Sequence, residues 1–294
     1  MELIRSPDRF RDALELARAG RQVVGFVPTL GDLHEGHARL IRTAREECGV
    51  VAVSVFVNPL QFESAADLAA YPRRLERDQA MASSIGADVV FAPAEEDMFS
   101  GGRPEVTVDP GPLGDRFEGD ARPGHFRGVL TVVAKLFGLA APCRAYFGEK
   151  DAQQLRLVRA MVGDLSLPVA VVACPTVRKV DGLAVSSRNA RLSSEERRAA
   201  SVLFEALSTA AALVRRGEGR ADVLKAEMAR RIGAESLARL DYVAVVDDRT
   251  WEEPAILDGP ARALVAARFG QTRLIDNLLL PWADGSTVHN SGDS

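Results

Sequence analysis

The feature that most limits how this chain can fold is an alternation running through its first two-thirds. Residues 22–28 (QVVGFVP) and 50–57 (VVAVSVFV) are β-branched and almost continuously apolar. Runs of that kind suit strands covered on both faces. Residues 88–92 (DVVFA), 144–147 (RAYF) and 168–174 (PVAVVAC) follow the same pattern. Between them lie stretches with helical spacing. Residues 38–48 place Leu40, Ile41 and Ala44 on one face, 73–85 place Leu75, Met81 and Ile85, and 152–164 place Leu155, Val158 and Met161. Strands alternating with helices predict an α/β fold with a doubly wound parallel sheet.

The order changes after about residue 176. Residues 193–216 read as one long amphipathic helix opened by Ser193-Ser194-Glu195-Glu196, and 220–233 as a second helix. Strand patterns follow at 240–247, 262–269 and 273–280. Helices followed by strands suit a smaller α+β domain. The expected organisation is therefore 1–176 and 177–294, with the small polar tail 283–294 disordered.

Charge narrows the partners. The chain carries 37 Lys+Arg against 41 Asp+Glu, a formal charge of −4, which argues against nucleic acid as a bulk partner. A small anion held by a few placed cations stays open. Cys48, Cys143 and Cys174 lack CxxC spacing, so buried thiols are expected rather than a disulfide framework or zinc site. The charged N-terminus does not read as a signal peptide, and no window offers eighteen apolar residues. No membrane partner and a cytoplasmic location are expected.

Five segments carry chemistry. In Pro28–His37 (PTLGDLHEGH) a strand ends and a helix begins, where backbone N–H groups face an anion and imidazoles can hydrogen-bond phosphate. His34 and His37, if protonated, would also neutralise charge. Their spacing is HExH, which rejects the HExxH zinc motif. Asn58 and Gln61 follow the second strand run with amides suited to a small polar substrate, or with a simple turn. Arg122 and His125 stand in a Gly- and Pro-punctuated loop that suits a carboxylate or phosphate as well as it suits solvent. In Phe147–Gln154 (FGEKDAQQ), Lys150 fits a phosphate clamp and Asp151 is placed to cap the next helix. In Asp181–Asn189 (DGLAVSSRN), two hydroxyls and a guanidinium suit phosphate, or a linker with local turn bonds.

PTLGDLHEGH, SVFVNPLQF, RPGHFRGV, FGEKDAQQL and DGLAVSSRN, in that order and spacing, resemble the pantothenate synthetase (pantoate–β-alanine ligase) family from about residue 22 to LIDN at 274–277. The resemblance implies a Rossmann-like ATP- and pantoate-binding domain of the HIGH nucleotidyltransferase superfamily, a C-terminal lid and a homodimer. It implies Mg-ATP, pantoate and β-alanine as small-molecule partners, with pantoyl adenylate as intermediate. By the same resemblance, Thr29, Leu30, Gly31, His34, Gly36, His37, Gly148, Glu149, Lys150, Asp151, Val177 and Val185–Arg188 would surround ATP. Catalysis would fall to His37 (as general acid), His34, Lys150, Ser186, Ser187 and Arg188. Gln61, Gln154, Asn58, Arg122 and His125 would serve pantoate and β-alanine, and Asp78 would approach magnesium. Leu30, Phe117 and Val185 stand where the family commonly has Met, Leu, and Met or Leu, and Arg77 where some relatives carry an acid. An adenylyltransferase for a phosphate acceptor and a non-catalytic nucleotide-binding module are the alternatives.

Overall fold

The structure, a computed structural model, describes residues 1–62, 64–99 and 101–282. The tail expected to be disordered, 283–294, lies outside the described residues. The described chain forms two compact units. One comprises Met1–Val177 with Val185–Ser187, the other Arg178–Ala184 with the chain from Arg188 onward.

The first unit is built on a six-stranded parallel sheet: β1 (Glu2–Ile4), β2 (Val24–Thr29), β3 (Val50–Val55), β4 (Val89–Phe91), β5 (Cys143–Gly148) and β6 (Val169–Cys174). Their spatial order is β1-β4-β3-β2-β5-β6. Alternate side chains feed two cores. Phe26, Ala52 and Phe91 join one with Phe10 and Leu14 of helix Pro7–Ala19 and with helix His125–Ala140. Val27, Val53 and Val90 join the other with Leu40, Ile41 and Ala44 of helix Glu35–Glu47. Helices therefore cover both faces, as the uninterrupted apolar strands predict.

Successive strands run outward from β2 to β3 and β4 on one side, and from β5 to β6 on the other. The β2/β5 boundary is thus the point where strand order reverses, the usual place for a ligand crevice at the carboxyl ends. The pairing registers make that crevice visible. β2 pairs with β3 along its whole length, from Val24↔Val50 to Thr29↔Val55. It pairs with β5 only at Gly25↔Arg144 and Phe26↔Ala145. Beyond these two pairs the carboxyl halves of β2 and β5 part.

The second unit holds an antiparallel sheet, β7 (Ala238–Asp247), β8 (Ala261–Phe269) and β9 (Thr272–Leu279), in that order. Leu203, Leu207 and Ala210 of helix Val202–Arg215 and Leu224 and Met228 of helix Ala221–Gly233 pack with Val245, Val265 and Phe269.

Three expectations need correction. The single helix expected over 193–216 is two, Ser194–Ala199 and Val202–Arg215. The Ser201 hydroxyl donates to the Arg198 carbonyl at 2.9 Å and the Ser201 amide turns back to the same carbonyl at 3.3 Å, so local bonding interrupts the ladder. Its predicted start is right: Ser193 and Glu196 form a reciprocal capping box. The apolar-polar alternation of residues 106–109 (VTVD) suggests a strand edge at which two protomers could pair, but these residues form no strand. The Val108 amide donates to the Thr131 hydroxyl at 3.0 Å, and Asp109 pairs with Arg127 at 2.7 Å, tying the segment to a helix instead. Finally, β1 and helices Pro7–Ala19 and His125–Ala140 add to the predicted elements. The three cysteines are free and buried, as expected.

Candidate active site

The turn between β2 and helix Glu35–Glu47 is held from several sides. The Thr29 hydroxyl donates to the Ser54 carbonyl at 2.7 Å and accepts the Gly31 amide at 3.1 Å. Gly31 and Asp32 both have positive φ, 89° and 50°. A Cβ on Gly31 would meet Asp78 Oδ2 and Val55 Cγ1 at 3.0 Å, so conformation and space both favour glycine there. Leu30 is half-buried beside it.

His34 is the N-cap of the helix. Its Nδ1 accepts the Gly36 amide at 3.1 Å, and His37 Nδ1 accepts the His34 amide at 3.3 Å. The imidazoles serve as the two halves of a capping box, with ring centroids 4.1 Å apart. A nitrogen that accepts carries no proton, so in each neutral ring the N–H is placed on Nε2. Burial, first, and the Lys150 ammonium, second, push His34 below the ordinary imidazole value. Burial and the neighbouring His34 push His37 down to about 3. Both shifts favour the neutral form of the rings. They are neutral Nε2–H donors, and the cation beside them is Lys150.

Lys150 lies in the single turn Glu149–Asp151 that follows Gly148 at the end of β5. Its Nζ is 3.3 Å from Asp151 Oδ1. Asp151 occupies the N-cap position of helix Ala152–Asp164 but its side chain makes no capping bond, contrary to expectation. The next two glutamines divide sharply. Gln153 is buried: its Oε1 accepts the Glu118 amide at 3.1 Å, and its Nε2 donates to the carbonyls of Leu113 and Arg116 at 2.9 and 2.8 Å. Gln154 is half-buried, and its side-chain amide makes no hydrogen bond among the described residues.

Gln61 closes the short turn Pro59–Gln61 after β3. Asn58, fully buried, donates through Nδ2 to Gln61 Oε1 and to the Gly128 carbonyl, both at 3.0 Å, and its Oδ1 accepts the Leu60 amide at 3.1 Å. Arg122 and His125 converge on the Gln61 carbonyl at 3.2 and 3.0 Å. Arg122 Nη1 also donates to His125 Nε2 at 3.0 Å, which assigns the ring proton to Nδ1. The structure therefore sets Asn58, Arg122 and His125 around the Gln61 turn as supports. Gln61 Nε2 makes no hydrogen bond among the described residues. Gly128 was missed by sequence reasoning, although it stands inside the RPGHFRGV segment. A Cβ there would sit 2.2 Å from the Leu60 carbonyl oxygen, so the helix reaches the turn only because this residue is glycine.

Val177 and Val185 are joined by a backbone bond, the Val185 amide donating to the Val177 carbonyl at 2.9 Å. Val185–Ser187 belongs to the first unit, whereas Arg188 belongs to the second. Asp78 is almost wholly buried, and its two oxygens accept the amides of Asp32 and Leu33, each at 2.8 Å. Among the described residues no group of three or more His, Cys, Asp or Glu could hold a metal ion. Both oxygens of Asp78 already accept amide hydrogens in a nearly closed setting, which does not suit Asp78 to a resident magnesium ion with its water shell.

The carboxyl ends of β3, β2 and β5 thus present two imidazole Nε2–H groups, an ammonium and two glutamine amides beside an opened seam. That set suits an anionic phosphate chain together with a small polar molecule. Comparison with known proteins agrees. The family model described as pantoate-beta-alanine ligase matches residues 2–279. A pantothenate synthetase of Rubrobacter xylanophilus is 54% identical over 286 residues, covering 95% of this chain and 98% of that protein. The crystal structure of pantothenate synthetase from Thermus thermophilus superposes with a TM-score of 0.89 at 47% identity, covering 96% of this chain and all 100% of that one. The pantoate-beta-alanine ligase of Francisella tularensis, complexed with beta-gamma ATP and beta-alanine, gives a TM-score of 0.76 at 33% identity, covering 95% and 97%. With family model, sequence relatives and solved structures all matching along nearly its full length, the chain belongs to the pantoate–β-alanine ligase family.

Proposed function

We propose that this chain joins pantoate to β-alanine with the cleavage of ATP. A carboxylate oxygen of pantoate attacks the α-phosphorus, the bond to the bridging oxygen breaks, and pyrophosphate leaves with that electron pair. The amine of β-alanine then attacks the acyl carbon and loses a proton as AMP departs, leaving pantothenate. Most of this chemistry is charge stabilisation. His34 and His37 donate from Nε2 to the triphosphate, and Lys150 supplies the positive charge. Thr29, Leu30, Gly31, Gly36, Gly148, Glu149, Asp151, Val177, Val185, Ser186 and Ser187 complete the nucleotide site. Gln61 and Gln154 hold pantoate, with Asn58, Arg122 and His125 setting the Gln61 turn. Magnesium enters as the counter-ion of ATP and is held chiefly by phosphate oxygens. The second unit, which carries Arg188, serves as a lid that keeps water from the acyl adenylate. The working form is a cytoplasmic homodimer.

The observation that carries this reading is the pairing of a phosphate-type donor set with two glutamine Nε2 groups that no described residue engages. Pyrophosphate exchange into ATP tests it. Exchange should require pantoate and proceed without β-alanine. Equal exchange without pantoate, or none in a preparation that forms pantothenate, would overturn it.

A further inference from the structure

We infer that Asp78 is the positioning residue of the His34–His37 turn, holding it by two backbone amides, and is not a ligand of magnesium. The two bonds go to consecutive amides, Asp32 and Leu33, both at 2.8 Å. Those amides lie between the left-handed pair Gly31–Asp32 and the N-cap His34. Two successive positive-φ residues hold their shape only where their surroundings over-determine them. Here a buried carboxylate supplies that constraint, and the Tyr71 hydroxyl adds a bond to the Gly31 carbonyl at 3.3 Å. Helix Leu75–Ile85, which carries Asp78, therefore fixes the place where helix Glu35–Glu47 begins. That start decides where the two imidazoles aim.

The surroundings disfavour a divalent cation. Magnesium requires near-octahedral oxygen ligands and gives up its waters reluctantly. Asp78 is 1% exposed, which leaves no room for a retained water shell. The carboxylate of Asp32 approaches it, but Arg77 and Arg74 stand 3.5 and 3.8 Å from that carboxylate. A second cation would compete with two guanidinium groups already present.

The inference rests on the proposed reading of the turn as the phosphate site, and the experiment separates the two. Asp78→Asn keeps shape but turns one acceptor into a donor facing an amide. Pyrophosphate exchange at saturating substrates is expected to fall about tenfold to a hundredfold, the size of a small misplacement of reacting groups. The pantoate KM and the magnesium concentration giving half-maximal rate should each stay within about twofold, since neither ligand site is touched. Nitrogen-15 shifts of His34 and His37 in the nucleotide-free variant should leave the pure Nε2–H pattern of the wild type. A tenfold rise in the magnesium requirement, with rate restored at high magnesium, would overturn the inference, as would a folded variant with unchanged exchange. If Asp78→Asn does not fold, the wild type decides. Magnesium chloride added to nucleotide-free protein should leave the Asp78 carboxyl carbon-13 signal unmoved, and the Asp32 and Leu33 amides should exchange slowly with deuterium. A moving signal or fast exchange refutes the assignment. A wild type lacking pantoate-dependent exchange would instead sink the proposed function while leaving these two signals as expected.

Discussion

The two turns that flank the β2/β5 seam are built on opposite plans. After β2, almost every polar group is engaged by the protein itself: Thr29 with Ser54 and Gly31, Asp78 with Asp32 and Leu33, and the two histidines with the helix amides. After β5, Asp151 leaves its helix uncapped by its side chain, a Cβ on Gly148 would meet nothing within 4 Å, and the Gln154 side-chain amide makes no hydrogen bond among the described residues. One turn is organised in advance, so its Nε2–H donors need no rearrangement before they meet charge. The other keeps the Gln154 amide available for a ligand to order. A site that must bind a large anion and a small acid in one crevice gains from both: fixed donors for the first, adaptable ones for the second.

Substitutions can break this contrast or sharpen it. The largest effect is expected from His37→Ala, which removes one fixed donor. Pantoate-dependent exchange should fall about 10²–10³-fold, by analogy with a lost oxyanion-hole donor, while ATP still binds. Gln153→Ala and Gln154→Ala come next and should split cleanly. Losing Gln153 removes the bond to the Glu118 amide and one bond at each of the part-buried Leu113 and Arg116 carbonyls, so thermal or urea unfolding should show a loss of about 1–3 kcal/mol. Losing Gln154 should leave stability within about 0.5 kcal/mol and instead raise the pantoate KM. The pH dependence of stability is smaller. His37 titrates near 6.5 when unfolded and is pushed down to about 3 when folded. Below about pH 6.5 the unfolded chain takes up a proton that the folded one refuses. Stability should therefore decline as pH falls from 6.5 towards 3, with no His37 contribution above about pH 7. Urea titrations on either side of that upper limit should show this slope, and it should shrink in His37→Ala.

Much of this was legible in the chain, and the gaps have physical causes. Strands β2 to β6 announce themselves because burial on both faces demands unbroken apolar runs. Helix His125–Ala140 hides for the same reason. Phe126, Val129, Leu130, Val132, Val133, Leu136 and Phe137 are all buried, and the exposed side is a thin stripe with Arg127 and Lys135 as its exposed charges, too little contrast for periodicity to stand out. Glu2–Ile4 is three residues long, too short for any period. In the site, side-chain type reveals who stands near the crevice but not who faces it. Gln153 and Gln154 are chemically identical neighbours, and only the path of the 113–118 segment decides which is consumed by the protein. Asp78 looks like a metal ligand until the amides of Asp32 and Leu33 are seen on it, and those amides lie 46 and 45 residues away in sequence.

The stretch Val185–Ser187 folds with the first unit while the residues on both sides fold with the second. The polypeptide consequently passes from one unit to the other three times, at 177/178, 184/185 and 187/188. Truncation at any one of these points cannot yield two whole halves: each product would lack a piece of itself or keep a piece of the other. Each unit is therefore discontinuous in sequence, and neither can be excised as one uninterrupted stretch.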